Sequence, residues 1–465
     1  MKKAFFGLFI ILAGSSFSQN WIPAGLPVSA SQVRASCVDT INNKLYVAGA
    51  IALDGSGNFS LNSIWIYDGA GWTKIDTVNN LIRTLAIYNN KLIVGGDFQT
   101  ISGQSIAYLA QWDGATWQSL GNNIDSWVGK LKAINGDLYV MGNFSQIGGI
   151  TAYGIAKWNG STWSDVFGFP PPLYPYGNSI SDVIYYNGDC YVGGSIESSL
   201  DTIMNLMVYR SSIWQKVGVG DYLRGTYCNV SAMQVFNGEL YVSGNILKSE
   251  GNVGNGLERW NGSYWRSVGT GVQDVNNSYN SNVIVEDMKI HNNLLYFSGA
   301  FGFAGNIPAL GLASWDGNKY CGYGIRPTSN VDASPGLAFF QDTLYLLTSD
   351  TINGLRVNKL AKYKGGSKVD TCSLLMGIKE NISTETVSIN IYPTPSSGEF
   401  SVNISNVHYE KYMLSFVNTL GQEVYCVKIT SQNQTINVSD KPKGIYFVNL
   451  VDSVGKRIVK KVVLD

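Results

Sequence analysis

One repeated pattern runs through most of the chain, and it limits the possible fold more than any other feature. An apolar run ending in glycine, such as Leu138–Gly142, is followed by a loop and a second apolar run that ends in an aromatic residue. A short turn and another aromatic residue come next, always five positions later, in six copies: Tyr67/Trp72, Trp112/Trp117, Trp158/Trp163, Tyr209/Trp214, Trp260/Trp265 and Trp315/Tyr320. Such a repeat indicates one supersecondary unit that must stack on its neighbours to bury its apolar face.

The first apolar run occurs seven times. Its copies are centred on Tyr46, Ile93, Tyr139, Tyr191, Tyr241, Tyr296 and Tyr345, at spacings of 47, 46, 52, 50, 55 and 49 residues. Asn-Gly, Asp-Gly or Asn-Asn pairs separate neighbouring runs, and such pairs favour two-residue type I′ hairpins because they tolerate positive φ. Each copy is therefore predicted to form one four-stranded antiparallel sheet. Radial stacking of seven such sheets predicts an all-β, seven-bladed β-propeller.

The strand limits follow from the same pattern. In the second copy the predicted strands a, b, c and d are residues 81–88, 91–97, 107–112 and 116–120. The seventh copy has no aromatic residue five positions after Tyr363, so it lacks strand d. An extra strand carrying Trp21 stands at the N-terminus. The sequence predicts that this strand completes the last blade and closes the ring.

Both ends of the chain differ from the repeat. Lys2 and Lys3, an apolar stretch and a small-residue site at 16–18 predict a signal peptide over residues 1–18. No other stretch is long and apolar enough to span a bilayer. We expect the propeller at residues 19–372, a polar linker at 373–386 and a separate domain at 387–465.

The C-terminal domain contains three turn motifs in a fixed order. They include Pro393, Pro395, Gly398, Gly421 and Gly444. Short alternating strands between such turns predict a small β-sandwich. The series resembles the type A C-terminal sorting domain of the type IX secretion system, although that family commonly has Asn where this chain has Thr394. The resemblance implies an immunoglobulin-like sandwich, recognition by the type IX secretion machinery, and export through the periplasm of a Gram-negative bacterium to its surface or the medium.

The repeats themselves resemble kelch-like or galactose-oxidase-like propellers in their glycine-rich strand b and aromatic strand d. Galactose oxidase chemistry needs a copper site with two histidines. The chain has only His291 and His408, and His408 lies in the C-terminal domain. The resemblance therefore implies the fold and not the oxidase activity.

Charge and cysteine content exclude several classes of partner. The chain has 33 basic and 33 acidic residues without a long run of either sign, which argues against nucleic-acid binding. Its six cysteines form no C-x-x-C pair, so metal-ligand spacing is absent. Cys190 and Cys228 lie on adjacent copies and could pair, or could be small buried hydrophobes. Asp54 and Asn58 could bind Ca²⁺, although a plain glycine loop also explains them. No other cofactor is expected.

Ligand contacts are expected on the loops that join strand b to c and strand d to the next strand a. Alternating strand direction places these loops together on one face, where long loops on a rigid scaffold carry function. Three enlarged d–a loops supply the candidate ligand-binding residues Tyr174, Tyr176, Tyr222, Arg224, Tyr227 and Tyr279. Such side chains suit a glycan or a protein.

The leading interpretation is a secreted or cell-surface binding module without catalytic residues. The alternative is a secreted glycan-active hydrolase or lyase that uses carboxylates of the same loop face. A structural role in a surface layer is a third possibility. Two or three acidic side chains converging near the channel mouth would favour the enzyme.

Overall fold

The regular secondary structure is β throughout the residues that the computed structural model describes. These are residues 20–465 without 28–29, 52–61, 173–178, 197–204, 219–228, 247–254, 275, 277–282, 326–335, 365–387, 406–411, 419–422 and 453–456. None of the described residues forms a helix with the length and apolar character of a transmembrane span.

Seven four-stranded antiparallel sheets, here called sheets 1 to 7, form the main structure of the described residues between 20 and 364. The first strand is β1 (Trp21–Pro23). Sheet 1 contains β2 (Ala30–Asp39), β3 (Lys44–Ile51), β4 (Asn62–Tyr67) and β5 (Trp72–Val78); sheet 2 contains β6 (Ile82–Tyr88), β7 (Lys91–Gly96), β8 (Leu109–Trp112) and β9 (Trp117–Ser119). Sheet 3 contains β10 (Val128–Ile134), β11 (Asp137–Gly142), β14 (Ile155–Trp158) and β15 (Trp163–Asp165), with the small hairpin β12 (Gln146–Ile147) and β13 (Ile150–Thr151) between them.

The remaining sheets repeat this arrangement. Sheet 4 contains β16 (Ser179–Tyr186), β17 (Asp189–Ser195), β18 (Leu206–Arg210) and β19 (Ile213–Lys216); sheet 5 contains β20 (Asn229–Phe236), β21 (Glu239–Asn245), β22 (Leu257–Trp260) and β23 (Trp265–Ser267). Sheet 6 contains β25 (Ile284–His291), β26 (Leu294–Ala300), β29 (Leu312–Trp315) and β30 (Tyr320–Gly322), beside the short strands β24 (Val272–Gln273), β27 (Phe303–Ala304) and β28 (Ile307–Pro308). Sheet 7 contains β31 (Gly336–Phe340), β32 (Thr343–Leu347) and β35 (Leu360–Tyr363), with the hairpin β33 (Thr351–Ile352) and β34 (Leu355–Arg356).

The fourth strand of sheet 7 comes from the other end of the sequence. Strand β1 pairs antiparallel with β35, and Trp21 lies opposite Tyr363. Tyr67 and Trp72 lie opposite each other in the same way in sheet 1. The ring of Trp21 packs edge-on against Tyr363, with 5.1 Å between the centroids.

The two kinds of predicted turn have different geometries. The a–b turns include type I′ hairpins, since both Asn135 and Gly136 have positive φ, and Gln341 and Asp342 reach the same geometry without glycine. The prediction of two-residue type I′ turns between strands c and d was wrong for five sheets. Their loops have four residues, and the leading Asp or Asn side chain closes each loop by accepting hydrogen bonds from the second and third following N–H groups. The side chain, and not positive φ at both positions, selects Asp or Asn there.

The glycine that ends strand b has a specific packing role. In sheets 1 to 6 the innermost strand contains a β-bulge. The carbonyl group of the residue two positions before the bulged residue lies against this glycine. A Cβ atom would lie 1.9–2.2 Å from that carbonyl oxygen at Gly49, Gly96, Gly142, Gly194, Gly244 and Gly299. Only glycine permits this approach, so the glycine and the bulge belong together.

The outer strands connect each sheet to the one before it. In six sheets the aromatic side chain at the start of the outer strand donates a hydrogen bond to the outer strand of the preceding sheet or its end: Trp72 to Ala24, Trp117 to Asp76, Trp163 to Leu120, Trp214 to Phe167, Tyr320 to Val268 and Trp21 to Tyr323. In sheet 5, Trp265 packs against Gly218 of sheet 4. The recurring Trp and Tyr residues thus join neighbouring sheets as well as filling the core.

The C-terminal domain has two sheets around its own core. Its strands are β36 (Ser388–Tyr392), β37 (Glu399–Ser405), β38 (Tyr412–Asn418), β39 (Glu423–Lys428), β40 (Asn433–Asn437), β41 (Gly444–Asp452) and β42 (Arg457–Leu464). Strands β36, β37 and β40 form one sheet, and β39, β38, β41 and β42 form the other. Phe400 from the first sheet and Phe416 from the second pack together in one buried core, as a β-sandwich requires.

The cysteines divide between reduced and oxidised states. The Cys190 thiol is free and buried, so the possible bond to Cys228 is not formed. Burial raises the pKa of Cys190 to about 12, which leaves the thiol unreactive at neutral pH. Cys321 is disulfide-bonded.

Candidate functional site

The structure does not describe the segments that contain the candidate ligand residues. Tyr174, Tyr176, Tyr222, Arg224, Tyr227 and Tyr279 all lie outside the described residues, as do Asp54 and Asn58 of the possible Ca²⁺ loop and Gly421 of the sorting motifs. Their roles therefore remain predictions. Within the described ranges, no group of three His, Cys, Asp or Glu side chains is arranged to hold a metal ion.

The described b–c loops of sheets 2 and 3 contact the d–a loops that precede those sheets, so these loops lie on one face, as the sequence predicted. Asn79, in the loop before sheet 2, accepts hydrogen bonds from Gln99 and Thr100 in the b–c loop of that sheet, at 2.9 Å each. Asp125 plays the same part before sheet 3, where it accepts bonds from Ser145 and Gln146. These contacts fix the described loops around the start of the innermost strands.

In sheets 1 to 6 a bulge places one extra residue at that end of the innermost strand. The bulged residues are Arg34, Arg83, Gly129, Ser181, Ser231 and Glu286, from sheets 1 to 6 in order. Each of these residues directly follows the residue that pairs with the strand b glycine of its own sheet, so they occupy equivalent positions in the six sheets. We call Arg34, Arg83 and Glu286, with the adjacent Asp97 and Trp127, the channel mouth.

Arg83 is the most firmly held of these groups. Its Nε and Nη2 atoms donate to the two carboxylate oxygens of Asp97 at 2.5 and 2.8 Å. Its guanidinium also lies over the Trp127 ring, 4.6 Å from the centroid. Trp127 in turn lies across Gly129, where a side chain would collide with the indole. The bidentate pair and the cation–π contact fix the Arg83 side chain.

Arg34 and Glu286 are held less completely. The Nε atom of Arg34 is buried without a hydrogen-bond partner among the described residues. Burial and the neighbouring Arg83 lower the pKa of Arg34, with Asp97 and Glu286 opposing them. Burial and the nearby Asp287 raise the pKa of Glu286. Among the described residues, the mouth thus combines a guanidinium that has no carboxylate within 4.0 Å and a carboxyl group whose ionised form is disfavoured.

Below the mouth, Asp182 joins three sheets. Its Oδ1 accepts a hydrogen bond from Lys132 Nζ of sheet 3 at 2.8 Å, and its Oδ2 accepts one from the Met233 backbone N–H of sheet 5 at 2.7 Å. The Asp182 side chain is 3% exposed, so these bonds replace its hydration. Burial lowers the pKa of Lys132 although Asp182 raises it.

A second cluster crosses the axis. Asp287 of sheet 6 lies 3.5 Å from Lys289 Nζ on its own strand and 4.0 Å from Lys130 Nζ of sheet 3. Burial would raise the pKa of Asp287, but the two lysines outweigh it, so the net shift is downward. Since sheets 3 and 6 are not consecutive, Lys130 must span the interior. These side chains form a floor beneath the channel mouth.

The carboxylates therefore do converge, but most are neutralised. Asp97, Asp182 and Asp287 each have a cationic partner, and of the described carboxylates at the axis only Glu286 has no ion-pair partner within 4.0 Å. The sequence contains a signal for this site. Charged residues recur within the apolar innermost strands, as at Lys130 and Lys132, one strand before each bulge-associated glycine.

Comparison with known proteins identifies the C-terminal domain. Residues 390–465 match the family described as the secretion system C-terminal sorting domain. The predicted type IX sorting domain is therefore confirmed, and it indicates export to the cell surface or the medium of a Gram-negative bacterium. No curated protein matches the chain.

Several solved structures are similar to this chain over most of its length. They include PorZ, a surface component of the type IX secretion system of Porphyromonas gingivalis (15% identity, 94% of this chain, 59% of that chain, TM-score 0.44). The extracellular domain of the putative one-component system BT4673 of B. thetaiotaomicron also matches (13% identity, 96% of this chain, 59% of that chain, TM-score 0.43). The β-propeller domain of the Trilobed protease of Pyrococcus furiosus matches as well (12% identity, 62% of this chain, 83% of that chain, TM-score 0.38). The chain spans about three fifths of the length of the first two structures.

Proposed function

We propose that this protein is a secreted or surface-attached binding module, built on a closed, seven-bladed, kelch-like β-propeller and exported through an immunoglobulin-like sorting domain. Its parts are a signal peptide (1–18), the propeller (19–372), a linker (373–386) and the sorting domain (387–465). The ligand, a glycan or a protein, meets the face that carries the b–c and d–a loops.

Ring closure is supported by contacts that continue across the chain ends. The innermost strands contact one another in circular order, including β31 with β2. Trp65 of sheet 1 and Phe340 of sheet 7 share one buried cluster. The indole of Trp72 reaches Ala24, just beyond β1. Each of these contacts lies between the first and last sheets, where an open arrangement would leave apolar surface exposed.

The pairing of the axial carboxylates carries the preference for binding over catalysis. Hydrolysis of a glycosidic bond by the usual mechanism requires two carboxyl groups that are available to the substrate. At the described channel mouth Asp97 is held by both guanidinium nitrogens of Arg83, which leaves Glu286 as a single carboxyl group. One available group supports recognition and not the two-carboxylate mechanism.

Glycan and peptide arrays test the proposal. The chain without residues 1–18 should give reproducible binding. A variant with Tyr174, Tyr176, Tyr222 and Tyr227 changed to Ala should lose most of it if the enlarged loops form the contact surface. Absence of any signal for the wild-type chain would contradict the binding module, while an equal signal in both proteins would remove only the role of the tyrosines.

A separate assay addresses the enzyme. Any glycan that binds is incubated with the wild-type chain and with Glu286→Gln, and the products are analysed by mass spectrometry. We expect no cleavage by either protein. Cleavage that the Glu286→Gln substitution abolishes would replace the binding proposal with a hydrolase or lyase.

A further inference from the structure

We propose that a cavity between sheets 1 and 2 binds a neutral hexose unit of a glycan. The cavity opens beside the a–b and c–d turns, on the face opposite to the channel mouth, and its volume is about 540 Å³. Ligand pockets in proteins commonly measure roughly 300–1,000 Å³, so a sugar fits here and a single ion would not fill the space. This second site goes beyond the proposed function, whose ligand meets the other face.

The last residue of each innermost strand decides whether the gap to the next sheet is filled. In every sheet this residue pairs with the first residue of strand b, so the seven positions are equivalent. The Tyr88 hydroxyl of sheet 2 donates to the Gly136 carbonyl group of sheet 3 at 3.0 Å. The Tyr186 hydroxyl of sheet 4 donates to the Gly238 carbonyl group of sheet 5 at 3.1 Å. The remaining side chains that pack against the following sheet in this way are Ile134, Phe236, His291 and Phe340.

Sheet 1 departs from this rule. Its residue at this position is Asp39, opposite Lys44, and the turn between them has four residues where the other six sheets have two. The Asp39 carboxylate points back into that turn, where it accepts hydrogen bonds from the backbone N–H groups of Ile41 and Asn42 at 3.0 and 2.9 Å. A short side chain that is held in its own turn does not reach sheet 2. The cavity is the space that a longer side chain fills in the other sheets.

Three side chains give the cavity groups that a ligand can contact. Lys44 is half-buried and has no carboxylate within 4.0 Å among the described residues, so its ammonium group is available as a donor. The Tyr46 hydroxyl lines the cavity and forms no hydrogen bond within the described part of the chain. The corresponding tyrosine hydroxyls of sheets 3 and 4 do have partners. From sheet 2, Trp112 contributes a half-buried indole.

The charge balance and the aromatic ring favour a neutral sugar. The charged side chains that line the cavity are two cations and two anions, Lys44, Lys74, Asp39 and Asp113, so no net charge favours an ion. The Asp113 carboxylate, like that of Asp39, accepts hydrogen bonds from its own turn. The donors and acceptors that remain suit hydroxyl groups. The indole of Trp112 suits the C–H face of a pyranose ring, because it offers a large apolar surface beside these polar groups.

Saturation-transfer difference NMR titrations test the site with the chain lacking residues 1–18. The ligands are lactose, cellobiose and mannobiose, with digalacturonate as a charged counterpart, each at low and high salt. We expect at least one neutral disaccharide to bind, and to bind more tightly than digalacturonate. Its affinity should change little with salt, because the contact forms no ion pair.

Two variants alter the cavity. Lys44→Ala should weaken binding of that disaccharide about tenfold, since a charged hydrogen-bond donor is lost. Asp39→Tyr should abolish binding, because sheet 1 would then carry the side chain that fills the gap after sheet 2. If Asp39→Tyr does not fold, Lys44→Ala tests the site alone. Lys91→Ala is the matched control and should bind like the wild type, because Lys91 has the position of Lys44 in sheet 2, opposite Tyr88, where the gap is filled.

The loop variant separates this site from the proposed function. With Tyr174, Tyr176, Tyr222 and Tyr227 changed to Ala, the chain should bind the disaccharide like the wild type, since these substitutions lie in d–a loops and not in sheets 1 and 2. No neutral disaccharide binding by the wild type, equal affinity in the wild type and either cavity variant, a preference for digalacturonate, or lost binding in the loop variant would each overturn the site. The arrays decide independently whether the loop face binds a ligand.

Discussion

Six glycines determine where the innermost strands bulge, and the bulges in turn deliver the side chains of the channel mouth. At Gly194 a Cβ atom would lie 2.2 Å from the Ser179 carbonyl oxygen, which is backbone and cannot move aside cheaply. The same close approach recurs in sheets 1 to 6, and Thr348 occupies the equivalent position in the seventh copy. The strand b glycines thus permit the bulges that position charged residues such as Arg83 and Glu286.

Substitution of one such glycine is therefore costly. We expect Gly194→Ala to lower the free energy of unfolding by about 1–3 kcal/mol, because the bulge must shift or open. Gly71→Ala is the control, since its Cβ would meet no atom within 4 Å. Urea denaturation of both variants measures the difference. Equal stability of the two would mean that the bulge tolerates a side chain.

The axial ion pairs make stability depend on pH. The folded-state pKa of Asp287 is lowered below its unfolded value of about 3.9, so the ionised side chain stabilises the fold above that pH. The stabilisation disappears as pH falls through the folded pKa. The pKa of Lys289 is raised, mainly by Asp287, so its contribution is complete below the unfolded pKa of about 10.4 and is lost as pH rises through the folded value.

Replacement of Asp287 should weaken the pH dependence of the free energy of unfolding at both low and high pH. We expect Asp287→Asn to lower the free energy of unfolding at neutral pH by about 1–3 kcal/mol, because Lys130 and Lys289 lose their shared counter-ion. The loss of stability below about pH 4 and above about pH 10 should become less steep than in the wild type. Asp350→Asn is the control, because the Asp350 side chain is 42% exposed in its ion pair with Arg356. This variant should change the free energy of unfolding little at any pH. Denaturation curves across the pH range would show identical slopes if the axial pair were unimportant.

At the scale of single elements, the three-residue strand β1 contributes far more than its length suggests. Trp21 is 1% exposed, donates to the Tyr323 carbonyl group at 2.8 Å, and packs against Tyr363. Ala24, which follows the strand, accepts the indole hydrogen bond from Trp72 of sheet 1. The strand therefore contacts sheets 6, 7 and 1.

Removal of this strand tests ring closure. Deletion of residues 19–26 should lower the melting temperature sharply, and Trp21→Ala alone should cost about 3–5 kcal/mol because a large buried ring is lost. Ile41→Ala is the control, as Ile41 is 73% exposed. Differential scanning calorimetry compares the three proteins. A deletion variant that melts at the wild-type temperature would show that the ring does not depend on β1.

At the scale of the whole molecule, the chain combines a body of seven four-stranded sheets with a domain that directs export. In the sorting domain Gly398 lies so close to Ser439 that a Cβ atom would be 2.3 Å from its Cα. The buried Ser396 hydrogen-bonds the backbone of Val463 and Asp465, so the proline-containing turn holds the last strand in place. The close approach of Ser439 explains why position 398 requires a glycine.

Transfer of the domain tests its role. A reporter with a signal peptide and residues 380–465 at its C-terminus should reach the surface or the medium of a host that has type IX secretion. The same reporter without these residues should stay in the periplasm, which fractionation and immunoblotting would reveal. Periplasmic retention of both reporters would contradict the sorting function.

The sequence alone determined the β class, the repeated four-stranded sheets, the strand limits to within about two residues and the sorting domain. Each of these depends on local signals: alternating apolar residues, turn residues and aromatic pairs at fixed spacing. Only the tertiary structure revealed the c–d loop geometry, the link between strand b glycines and bulges, and the charged axis. These features arise where backbones from two strands, or side chains from different sheets, come within a few ångströms. Arg34, Asp182 and Lys130 are distant in sequence, and their common location depends on how the sheets are arranged around one axis.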